Sequence, residues 1–180
     1  MRHASRMDPN PPERGHDDAA LVAAAWVASL APLVAIALKL ATGGWLLVGM
    51  VFSFPIWLIG YAAVVVPAAV GMLRRRGSLR RPGHRTRAII WSWLTSIGVL
   101  IVGLTVVDGG DTSESVASTL GLMLGSTGTD SPVNDVSAVI AMVAAVPWLG
   151  GLLALLVEWM VSLARRRAEA PRVAPPVVGQ

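Results

Sequence analysis

RRRGSLRRPGHRTRAIIWSWLTSIGVLIVGLTVVDGGD, residues 74–111, decides how this chain is arranged. It opens with Arg74, Arg75, Arg76, Arg80, Arg81, Arg85 and Arg87 on a segment that Pro82 and Gly83 keep from being helical. Residues 88–107 follow as an uncharged, mainly apolar run, the length a helix needs to cross a hydrocarbon core of about 30 Å. The run then stops at Asp108, Gly109, Gly110 and Asp111. A basic flank, a span of membrane length and an acidic flank predict a transmembrane helix with a fixed direction.

Working outward, three more apolar blocks have the same character. They predict spans at about residues 19–40, 45–73 and 136–163, so residues 19–164 read as one all-α, four-helix transmembrane domain. Composition agrees, since 54% of the 180 residues are hydrophobic, only 14% are charged, and mean hydropathy is +0.61. Such a chain needs a solvent other than water. The turn at Thr42, Gly43 and Gly44 is short enough to make the first two helices antiparallel neighbours. Pro55 and Pro67 predict kinks in the second helix, which is longer than the bilayer requires. Residues 1–18 and 165–180 are polar and Pro-bearing, and are expected to be disordered tails.

Orientation follows from the positive-inside rule. With the amino terminus inside, the loop at 74–87 and the cluster Arg165, Arg166 and Arg167 are all cytoplasmic. Both tails are then cytoplasmic too. The 108–135 connection, with five acidic residues and neither Lys nor Arg, faces out. Trp45 at one boundary and Trp91, Trp93 and Trp159 near the other suit interfacial aromatic belts. The abundance of Ala, Val, Gly and Arg, with Lys39 the sole Lys, suggests a high-GC bacterial genome and hence an inner (plasma) membrane location.

In the 108–135 loop, Val116, Leu120, Met123 and Leu124 recur at helical spacing behind a capping box of Asp111 and Glu114, with Gly125 and Gly128 beyond. The pattern predicts a surface-lying helix from about Glu114 to Leu124. Asp108 and Asp111 beside two glycines read as a solvated turn.

Ionisable residues inside spans point best to function, because a charge in the hydrocarbon costs roughly 2.5–3.5 kcal/mol on insertion scales. Lys39 and Glu158 qualify. Lys39, about one turn from the outer boundary, is expected to snorkel its ammonium to water. Glu158, near the cytoplasmic face, is expected to form an ion pair with Arg165 or with the 74–87 loop, or to serve transport. Arg74, Arg75, Arg76, Arg80, Arg81, Arg85 and Arg87 set topology and are candidates for contact with anionic lipids.

Small residues at four-residue spacing predict close helix packing: Ala24 with Ala28, Gly49 with Ser53, Ala63 with Pro67 and Gly71, Ser92 with Ser96, and Gly150 with Ala154. The absence of Cys excludes disulfides, thiol nucleophiles and thiolate metal sites. No catalytic residues, cofactor or metal are expected, because His3, His16 and His84 fall in tails or loops, away from any Ser within a span. Nucleic acid is not an expected partner, since no aromatic platform accompanies the Arg residues. The expected partners are the lipid bilayer, anionic lipids, and another membrane protein or a second copy.

The chain thus reads as a non-catalytic accessory or scaffolding membrane subunit. The alternative is a small oligomeric transporter or channel with Glu158 as its coupling group. Small multidrug transporters share the four-span size but carry a Glu deep in the first span, where this chain has none.

Overall fold

The computed structural model describes residues 12–40 and 42–169. Among them, four helical segments are long and apolar enough to cross a membrane: Asp18–Leu40, Phe54–Leu73, Arg85–Thr105 and Pro132–Glu169. The first lies within helix α1, Pro12–Leu40. Seven residues expected as tail are therefore already helical, with Pro12 in a first turn that suits its fixed φ and missing N–H. The tail readings for residues 1–11 and 170–180 lie outside the described residues.

The second span is not one helix. Helix α2, Trp45–Phe52, ends at Ser53, whose N–H and Oγ both bond the carbonyl of Gly49. Helix α3, Phe54–Val66, then restarts with Pro55 in its first turn. From Pro67 to Leu73 the chain widens into a π-helix. Both interruptions fall where proline removes a ladder donor.

Helix α4, Arg85–Thr105, packs along both α1 and the long helix α6, Pro132–Glu169. Contact between α4 and α6 is close. A Cβ added at Gly98 would lie 2.7 Å from the backbone nitrogen of Trp148, and one at Gly151 would lie 2.7 Å from Oγ1 of Thr95. Hydrogen at these positions lets the backbones meet, as expected of helix contacts in lipid. The spacing argument chose the neighbouring Gly150, which faces open space, as does Gly49. It was right about Ala24, Ala28, Ser92 and Ser96, which are all buried.

α6 has 38 residues, about 57 Å of helix, so it projects well beyond a hydrocarbon core of about 30 Å. Its last residues, 165–169, continue the helix where a tail was expected.

The connection after α4 differs most from expectation. Strand β1, Val107–Asp108, pairs antiparallel with strand β2, Ala117–Ser118, and a 3₁₀ turn at Ser113–Ser115 lies between them. Only Thr119–Met123, helix α5, is helical within the segment predicted as one surface helix. The capping box is formed by Thr112 and Ser115, not Asp111 and Glu114. The hydrophobic spacing was real, but Asn134 decides the backbone. Its buried side chain accepts from Ser118 N–H at 3.1 Å and donates to the carbonyls of Val116 and Gly128 at 3.0 Å each. These bonds hold the strand and loop against α6 and leave room for less than two turns of helix. Gly125, at φ +67°, ends α5 where the pattern placed its stop.

Candidate functional site

Burial is uneven along the bundle. At the basic end, Leu21, Ala24, Ala25, Ala68, Met72, Leu79, Ala88 and Leu155 form a closed apolar core. Leu79 enters it from the short 3₁₀ turn Ser78–Arg80, so the basic loop is folded into the bundle. Arg80 Nε donates to the carbonyl of Met72 at 2.8 Å, and Ser162 donates to Ser78 at 2.8 Å.

This folding brings His84 to Glu158. Nδ1 of His84 hydrogen-bonds Oε1 of Glu158, both side chains being about nine-tenths buried, while Nη1 of the exposed Arg87 lies 3.7 Å from Oε2. The imidazole and carboxylate form a shielded hydrogen-bonded pair, with the Arg87 guanidinium at its rim. Arg165, the other expected partner of Glu158, is exposed on the next turns of α6. His84 was set aside in the sequence because it lies in a loop. The signal for it was that a carboxylate at that depth needs a donor, and His84 is the residue that Pro82 and Gly83 turn back toward α6.

The basic residues divide into two groups. Arg80 and Arg85 each lie 3.6 Å from Asp18 at the start of the first span, and Arg81 meets Glu169 at 2.6 Å. Together with Arg87 on Glu158, they tie the loop to α1 and α6. Arg74, Arg75 and Arg76 are exposed and make no ion pair among the described residues.

At the acidic end two expectations are corrected. Lys39 does not snorkel, since it is 4% exposed and its ammonium donates to the carbonyl of Val106, just past the end of α4. A cation at that point meets carbonyls that α4 leaves without intrahelical partners. Asp108 is not a solvated turn residue, since it is 3% exposed. Its Oδ1 accepts the N–H of Leu46 at 2.8 Å and its Oδ2 accepts Thr42 Oγ1 at 3.3 Å, so it caps the start of α2 from across the bundle. Asp111, by contrast, is exposed. No sequence spacing shows that a residue 62 positions away caps a helix.

Between the two ends lies a partly open cavity of about 210 Å³. Residues from α1, α2, α3, α4 and α6 line it almost wholly with apolar groups, and Lys39 is its one charged wall residue. Among the described residues no group of three His, Asp or Glu side chains is placed to hold a metal ion. No family model, no curated protein and no solved structure matches the chain.

Proposed function

We propose that this protein is a non-catalytic subunit of a bacterial inner membrane, with both ends in the cytoplasm, that offers the first half of its second span to a partner helix. One observation carries the reading. From Val51 to Gly60 every residue except Ser53 is exposed, on all sides of the helix, whereas the other spans each bury a face. In lipid, helices associate by close packing and interhelical bonds, not by hydrophobic exclusion, so a segment with so little packing adds little to its own bundle. Its polar groups are already matched internally, Trp57 Nε1 donating to Ser53 Oγ at 2.9 Å. The exposed Arg74, Arg75 and Arg76 add attraction to anionic lipid on the cytoplasmic side.

Cross-linking from Cys introduced at Ile56 or Ile59 in native membranes tests this, as the chain has no other Cys. The expected result is one discrete adduct, to another membrane protein or to a second copy. Recovery of the monomer alone at every position from 51 to 60 would refute it. The orientation is tested with impermeant thiol reagents on intact cells. Cys at Thr129 should label and Cys at Arg80 should not; the reverse pattern would overturn the assignment.

A further inference from the structure

We infer that the cavity behind α2 and α3 binds one hydrocarbon chain of an anionic amphiphile, whose oxyanion takes the spare N–H donors of Lys39. The inference is independent of the partner reading. Its first ground is the wall: Pro32, Gly60, Tyr61, Val99 and Trp148 come from four helices of membrane-spanning length and line a partly open, almost wholly apolar space. Water does not fill such space, because it would find too few polar partners there. Tyr61 directs its hydroxyl away from this need, donating to the carbonyl of Ser29 at 3.2 Å.

The second ground is the charge. An ammonium carries three donors, and Lys39 has one hydrogen bond among the described residues, to Val106. Among the described residues Lys39 makes no ion pair, and Asp108, at the same end of the bundle, is occupied with Leu46 and Thr42. A buried cation with two donors to spare, in the wall of an otherwise apolar space, calls for an acceptor that arrives with its own hydrocarbon. Pro32 and Lys39 stand two turns apart on α1, so roughly 10 Å of chain fits beside them. A carboxylate from a free fatty acid and a phosphate from a lipid share this chemistry.

Native mass spectrometry of the full chain in mild detergent, with three oleoyl amphiphiles, tests it. Oleate, oleoyl lysophosphatidate and uncharged monoolein should each give a one-to-one adduct, with at least one anion bound about tenfold more tightly than monoolein. Preference for oleate or for lysophosphatidate then identifies the source of the oxyanion. Lys39→Met should abolish the preference and Lys39→Arg should keep it. Gly60→Phe should weaken all three, since a side chain at Gly60 meets nothing within 4 Å and has room to enter the wall. Replacing Arg74, Arg75 and Arg76 with Gln should change nothing. Equal binding of all three amphiphiles, an anion preference that survives Lys39→Met, or a preference lost with the three Arg residues would each overturn the inference.

Discussion

The two halves of the second span are similarly apolar yet have opposite fates. From Val51 to Gly60 the segment stands exposed, with Phe52, Phe54, Ile56 and Ile59 all more than 60% accessible. From Val64 to Leu73 it is packed, with Val64, Pro67, Ala68, Gly71 and Met72 buried. Side-chain size separates them. Ala68 and Gly71 let the backbone come close to α1, Leu79 and Trp159, whereas in the first half bulky residues predominate and even at Gly49 and Gly60 an added Cβ would meet no neighbouring atom within 4 Å. Hydropathy puts a helix in the membrane, and small residues decide which part of it joins a bundle.

The largest test of this contrast removes the plug of the packed half. Leu79→Ala should lower stability in a denaturing-detergent titration by about 2–5 kcal/mol, because Leu79 is fully buried and reaches the core from a loop. A loss below about 1 kcal/mol would mean that the basic loop is not part of the core. Next, Gly71→Ile gives the packed half the bulk of the exposed half. A Cβ there already comes within 2.8 Å of Leu79 Cδ1, so overpacking should cost about 1–3 kcal/mol and raise cross-linking between this half and outside partners.

Glu158→Gln keeps the shape at the basic end but weakens the bonds to His84 and Arg87. A thermal melt should show a loss of about 1–2 kcal/mol that added salt barely changes, since the His84 pair is largely shielded from solvent. Strong salt dependence would move the interaction to the exposed Arg87. The smallest effect belongs to the exposed half, where Ile59→Ala should shift the isolated protein by less than about 0.5 kcal/mol. A larger shift would show that this half packs on its own bundle in the membrane.

Residue order along the chain was enough to find four apolar helices of membrane-spanning length, the interruptions at Pro55 and Pro67 and the stop at Gly125, because each depends on local length, hydropathy or backbone chemistry. It was not enough for the ends of the bundle. Asp108 read as a turn residue, and caps α2; Lys39 read as a snorkel, and sits buried on Val106; His84 read as a loop residue, and meets Glu158. In each case the partner is more than 60 residues away in sequence.

What the sequence determined by itself is the number of helices long and apolar enough to cross a membrane, since lipid demands long apolar helices whatever their neighbours do. Only the tertiary structure decided which charges are buried, which half of the second span is packed, and where a cavity opens beside Lys39. Those outcomes depend on how close two backbones can approach, and that distance is set jointly by side chains on different helices.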